Sequence, residues 1–355
     1  MQTHPTVLVL GARGRFGLSA ARAFAQAGWR VLGQMRPGRP DPATDPAAAI
    51  EWLGIDLFDT QALTAAAAGA TVVVHALNPA YTNAVWQAQV LPMTDAAIAI
   101  TRALGATLMV PGNVYNFGTG MPAVLREDTP QLARTVKGQV RIAMEHKLQH
   151  SGVRCIVIRA GDFFGAGKGT WLDMAMVKDI RKGRFTYPGA PDIATPWAYL
   201  PDLARTFVAV AQRRAELPAF EVLHFAGHRI TGQRWLEVLG AIAQAHAWVQ
   251  PGAALTMNRL PWPVIRIGAL VVPTWAALLE MRYLWQTPHA LANARLTALI
   301  GAEPHTPLHH AVLATLADLG LVSVPPMDRS VAPTVKVRAA TAPQVFPSAQ
   351  EHEHA

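Results

Sequence analysis

The first pattern along the chain is an uninterrupted apolar run, Val7-Leu8-Val9-Leu10, with the length and branching of a strand buried on both faces. It ends at Gly11. An alanine-rich amphipathic stretch, 18–27, then reads as a helix that Gly28 stops. The alternation continues, with strands predicted at 29–34, 50–54, 72–75, 107–110, 154–159 and 221–226. Helices are predicted at 61–68, 86–104, 137–150, 203–212 and 231–245. Strands alternating with helices of these lengths predict an α/β protein built on a parallel sheet. The segment 37–49, rich in proline and alanine, reads as a surface loop. Residues 325–355 lack sustained apolar periodicity and read as an extended or disordered tail.

Composition narrows the class. A chain of 355 residues, 51% hydrophobic and 15% charged, can bury a large core in one large or two coupled domains. The single cysteine, Cys155, lies inside an apolar run, which argues against a disulfide framework or a metal site and for a cytoplasmic location. The start goes directly into a strand, so no signal peptide is expected. The most hydrophobic later stretch, 264–279, contains Arg266 and Pro273 and is shorter than the roughly 20 apolar residues of a spanning helix. It predicts a buried or interfacial helix pair, with no membrane partner. The net charge of +8 is scattered, without a basic recognition element, so no nucleic-acid partner is expected. An anionic cofactor and a small-molecule substrate account for the excess.

The spacing Gly11-x-x-Gly14-x-x-Gly17 between strand and helix suits a dinucleotide. Glycines let the backbone approach a pyrophosphate, and unpaired N–H groups at the helix start face the anion. This motif resembles that of the short-chain dehydrogenase/reductase superfamily, especially its extended sugar-nucleotide epimerase/dehydratase branch. The resemblance implies a Rossmann-type doubly wound parallel sheet over 1–165 and a smaller C-terminal substrate lobe over 166–322, interleaved with the last core elements. It also implies cofactor contacts from Gly11, Arg13, Gly14, Arg15, Phe16 and Gly17. Where strand two ends, relatives carry an acid for NAD or a base for the 2′-phosphate of NADP. Here Arg36 stands there, with Arg39 behind and Arg13 in the loop, so NADP is expected over NAD. In Gly54-Ile55-Asp56-Leu57-Phe58-Asp59 the resemblance assigns Asp56 to the adenine amino group and Leu57 to the ring face; alternatively, Asp59 or Thr60 caps the next helix and Asp56 belongs to the turn. His75 reads as structural, and Ala76-Leu77-Asn78 as the loop passing over the cofactor.

The two landmarks that carry chemistry in this superfamily are altered. The hydroxyl position three residues before Val114-Tyr115 is Pro111, placed beside the cofactor, which leaves Asn113 and Tyr115 as the polar side chains of that turn. The Tyr-x-x-x-Lys pair, whose spacing puts both groups on one helix face, is replaced in register by Lys137-Gly-Gln-Val-Arg141. Lys137, beside Arg141, is expected to have a depressed pKa and to act as general acid or base and cofactor contact, with Arg141 on the nicotinamide ribose. Alternatively, both hold phosphate or line a solvated helix face. Residues 160–165 resemble the superfamily's turn that packs on the nicotinamide, which implies contacts from Asp162 and Phe163, and 166–196 reads as a lid with Lys168, Trp171, Arg181, Arg184 and Tyr187. Asp202 is expected to cap its helix. These readings imply an NADP-dependent oxidoreductase or epimerase acting on a small carbonyl or hydroxyl compound, possibly a sugar derivative. The competing reading is a non-catalytic NADP(H)-sensing protein. The resemblance implies that helices 86–104 and 137–150 pair two copies into a homodimer, and Ala96 to Ile100, with more apolar surface than one sheet face needs, fit such a contact.

Overall fold

The computed structural model describes residues 4–38 and 49–323. Arg39 and the segment 325–355 lie outside them. Seven parallel strands form the central sheet: β1 (Thr6–Leu10), β2 (Arg30–Gln34), β3 (Ile50–Leu53), β4 (Ala70–His75), β5 (Thr107–Gly112), β6 (Arg154–Arg159) and β7 (Phe220–His224). Their order is β7-β6-β5-β4-β1-β2-β3, so the chain runs outward from β1 in one direction and then returns to build the other half.

Alternation along β1 divides the core. Val7 and Val9 face a layer containing Phe16, Phe24, Leu203 and Phe207, from helices α1 (Arg15–Gln26) and α5 (Leu200–Arg213). Leu8 and Leu10 face the opposite layer, with Leu63, Trp86, Val90, Ile100 and Leu148 from α2 (Thr60–Ala66), α3 (Asn83–Leu104) and α4 (Val136–Gln149). All four of these β1 side chains are fully buried, as a strand covered on both faces requires.

Helix starts are where the sequence reading needs correction. α1 begins at Arg15, three residues before the predicted start, so Arg15, Phe16 and Gly17 form its first turn. α3 begins at Asn83, with Thr82 accepting from the Val85 amide as its cap. α5 begins at Leu200 after Tyr199, and Asp202 does not cap it. The buried Asp202 carboxylate instead accepts from the Thr306 amide at 2.6 Å and the Thr306 hydroxyl at 2.7 Å, clamping the C-terminal segment. The apolar surplus inferred for α3 is also absent: Ala96, Ala97, Ile98 and Ile100 are buried within this chain.

The lobe is made of small pieces. Asp162–Phe164, Thr195–Tyr199 and His228–Ile230 form a three-stranded sheet, and Arg184–Tyr187 pairs with Thr256–Arg259. Between them the predicted lid contains a short π-helical turn, Leu172–Met176. The helices Trp262–Gly268 and Pro273–Glu280 pack together as a hairpin. No helix among the described residues is long and apolar enough to cross a membrane.

Candidate active site

The glycine loop is dictated by space. Gly11 has φ +74°, a region that L side chains avoid, and the loop after β4 sits against it through the Ala76 carbonyl and Leu77. A Cβ on Gly17 would overlap the Gly11 carbonyl, so α1 can start this close to β1 only with glycine there. Gly14 donates to the Gly11 carbonyl at 2.9 Å and precedes α1 without a side-chain cap among the described residues. The first turn holds no acidic side chain. Its uncapped N–H groups therefore suit a pyrophosphate.

Gln34, which sequence reading passed over, holds this end together. Buried at the end of β2, it accepts from the Gly11 amide at 2.9 Å and donates to the Ile55 carbonyl at 2.9 Å. Arg13 and Arg36 are exposed. Asp56 is exposed and accepts from the Phe58 amide at 2.9 Å, whereas Leu57 is buried in the core. Asp59 caps α2 by accepting from Ala62. Arg15 turns toward the lid and donates to the Lys168 carbonyl at 3.2 Å, and Phe16 packs near Phe163 with ring centroids 6.5 Å apart. Asn78 is exposed.

At the other end, Lys137 is completely buried in the first turn of α4. Its Nζ donates to Asn83 Oδ1 at 2.7 Å and lies 4.4 Å from the Tyr81 ring centroid and 5.1 Å from that of Trp86. Asn83 donates to Glu280 at 2.9 Å, and Glu280 also accepts from the Val136 amide at 2.5 Å. One carboxylate thus fixes the start of α4 and, through one amide, the ammonium. Arg141 also lies over the Trp86 ring, its Cζ 5.1 Å from the centroid, and its buried Nε has no partner among the described residues.

The electrostatics correct one expectation. Burial lowers the Lys137 pKa to about 8, and the nearby Glu280 charge opposes that shift. The field of Arg141 falls elsewhere: it disfavours protonation of His75, which is held at about 3 chiefly by burial, and offsets part of the rise of Tyr115 to about 12. Burial raises the Tyr81 hydroxyl well above its usual value, and the neighbouring Tyr115 adds to that rise. Asp162 is raised to about 6 by burial although Trp285 donates to it at 2.9 Å. Asn113 spends its side-chain oxygen on the Tyr115 amide at 3.0 Å, so it shapes the turn. Pro111 lies within β5, opposite Ile158. His75 is buried, with Thr94 Oγ1 3.5 Å from its Nε2.

Lys137, Arg141 and Tyr115 are thus brought together, and Asp162 acts on Tyr115 through its charge. The sequence reading missed Tyr81, Trp86, Asn83, Glu280 and Trp285. One signal was available: between Glu237 and Glu303 the sequence has a single acid, Glu280, at the end of an apolar helix.

A doubly wound sheet with a glycine-rich turn at an uncapped helix start defines a dinucleotide-binding protein of the Rossmann type. The model of the NAD dependent epimerase/dehydratase family matches residues 7–224, and the chain belongs to that family. A UDP-galactose 4-epimerase structure is similar with a TM-score of 0.66 and 18% identity, over 89% of this chain and 98% of that one. UDP-glucuronic acid 4-epimerase from Bacillus cereus, in complex with NAD, gives 0.65 and 16% over 88% and 96%. The Bordetella bronchiseptica enzyme WbmH, in complex with NAD+, gives 0.64 and 17% over 89% and 98%. These likenesses show the extended short-chain dehydrogenase/reductase fold. A comparison with curated proteins finds no match.

Proposed function

We propose that the chain is a nicotinamide-dinucleotide-dependent oxidoreductase or epimerase acting on a hydroxyl or carbonyl carbon of a small compound, with a nucleotide-linked sugar as the first class to test. The observation that carries this reading is Lys137: a buried ammonium, lowered to about 8, in the helical position where relatives place their proton donor. When bound, the dinucleotide supplies hydride transfer. The chain's own groups would do the rest. The glycine loop and the start of α1 would hold the pyrophosphate, and the unpartnered Arg141 Nε would donate to a ribose oxygen. Lys137 would pass a proton to or from the substrate oxygen, held in place by Asn83 and Glu280. Tyr115, raised to about 12, is the more reluctant acid of the two and would donate a hydrogen bond. UDP-sugars come into view because the similar structures are named for enzymes of such compounds.

Lys137→Met tests the assignment. Turnover across a panel of nucleotide sugars, followed by nicotinamide absorbance and product analysis, should fall about a hundredfold or more while cofactor affinity is kept. Near-normal turnover would remove Lys137 from the chemistry.

For the cofactor, exposed Arg36 two residues after β2 and Arg13 in the loop support NADP, whereas similar structures are complexes with NAD. NADPH should bind more tightly than NADH and lose that advantage in Arg36→Ala; equal affinities would favour NAD. The second reading, a cofactor-sensing protein without turnover, is supported by the complete burial of Lys137 and by Pro111 in the hydroxyl position. It predicts cofactor binding with no product from any member of the panel. A homodimer through α3 and α4 rests on the groove of about 810 Å³ between them, lined by Leu91, Asp95, Ile142 and His146; a monomer by light scattering would end it.

A further inference from the structure

The helical hairpin of Trp262–Gly268 and Pro273–Glu280 presents apolar side chains to solvent. Leu270 is 85% exposed, Val271 81%, Ile267 72% and Val264 55%, and all four are clustered at or just before the turn that joins the helices. Trp275 is partly exposed beside them. Isolated apolar residues at a surface are ordinary, but a contiguous group is the mark of a contact surface.

The hairpin is rigidly based. Ile265, Leu278 and Trp285 form a small core with Trp171, Leu260 and Trp262, and the Trp262 indole donates to the Pro188 carbonyl at 2.8 Å. Trp275 packs directly on Gly268, where a Cβ would collide with its ring, so the two helices lie close. The apex therefore projects as a preformed wedge.

Charge selects the partner. Arg266 is exposed on the first helix, Arg259 is exposed at the end of the strand Thr256–Arg259 that leads into it, and Arg282 lies half-buried over Trp262. The single acid between Glu237 and Glu303 is Glu280, which is turned inward onto Asn83 and the Val136 amide. The hairpin and the strand that leads into it thus show solvent an apolar tip, a tryptophan and two exposed arginines without an ion-pair partner among the described residues, on a chain of net charge +8. Those are the parts of an element that lies in a membrane interface, with its apolar side chains at the acyl boundary and cations among anionic headgroups. A protein surface of matching shape would need no such excess of one charge around its rim.

We propose that this hairpin docks the protein on the surface of an anionic lipid bilayer, inserting Ile267, Leu270 and Val271 at the headgroup boundary while Arg259 and Arg266 contact lipid phosphates. This departs from the expectation of no membrane partner, and it requires no spanning helix.

The test is co-sedimentation of the full chain with vesicles of phosphatidylcholine alone and of phosphatidylcholine with phosphatidylglycerol. The wild type should partition onto the anionic vesicles at least about tenfold more strongly than onto neutral ones and be released by salt. Leu270→Ser with Val271→Ser should lower that partitioning by about tenfold or more; these highly exposed positions can change without opening the core. Arg259→Gln with Arg266→Gln should bring anionic and neutral vesicles level. As a second readout, an environment-sensitive dye on Leu270→Cys should shift to the blue on anionic vesicles; the native Cys155 is buried. Absence of wild-type partitioning, or partitioning unchanged by the Leu270 and Val271 substitutions, overturns the proposal. So does a self-associated species that those substitutions dissolve in the absence of vesicle binding, which would assign the patch to a second copy of the chain.

Discussion

Glu280 is the most informative residue to perturb, because its negative charge and its hydrogen bonds can be separated by Glu280→Gln. The carboxylate reaches Lys137 through two hydrogen bonds, 2.9 Å from Asn83 to Glu280 and 2.7 Å from Lys137 to Asn83, which with the width of an amide puts the charges roughly 7 Å apart. At an effective dielectric of about 20, such a pair interacts by about 2 kcal/mol, equivalent to about 1.5 pKa units. The sign follows from the charged form: Glu280 favours the ammonium and raises the pKa that burial has lowered. Its neutralisation should therefore carry Lys137 below about 8. The chain has only six lysines, so biosynthetic incorporation of carbon-13-labelled lysine should resolve the Lys137 signal without chemical modification of the folded protein. Its titration midpoint should move down by one to two units in Glu280→Gln. If Lys137 acts as an acid, the high-pH limb of turnover should move the same way. An unchanged or raised midpoint would refute the arrangement of Lys137, Asn83 and Glu280.

Gly17→Ala places a methyl against the Gly11 carbonyl and should abolish dinucleotide binding in a titration, with a loss of melting temperature; normal binding would mean that α1 can retreat from β1. Arg159→Met strands the buried Glu145 carboxylate, which now receives Arg159 Nη2 at 2.6 Å, and urea unfolding should show a loss of about 3–5 kcal/mol. His224 is held at about 3, mainly by burial and further by Arg159, against an ordinary 6.5. Its folded-state pKa is depressed, so its contribution is complete above about 6.5 and is lost as pH falls toward 3, at about 1.4 kcal/mol per pH unit. In His224→Gln the slope of unfolding free energy against pH in that window should flatten by one proton, and an unchanged slope would refute the assignment.

Local pattern was enough for the frame. The apolar run of β1, the alternation of strands with helices and the spacing of Gly11, Gly14 and Gly17 are short-range features, and each specifies its own backbone geometry with little help from elsewhere. The departures from the superfamily's catalytic pattern, Pro111 and Lys137, were also legible by register alone. Tertiary structure decided what surrounds them. Asn83 comes from 54 residues before Lys137, and Glu280 binds the Val136 amide from 144 residues beyond it. Arg141 sits on the same helix as Lys137, so proximity in sequence suggested that its charge lowers the lysine; burial does so instead, because desolvation depends on everything packed around a group. The same holds for the hairpin of Trp262–Gly268 and Pro273–Glu280: its hydrophobicity was plain in the sequence, whereas which side chains face outward depended on where Trp171, Trp262 and Trp285 close its base.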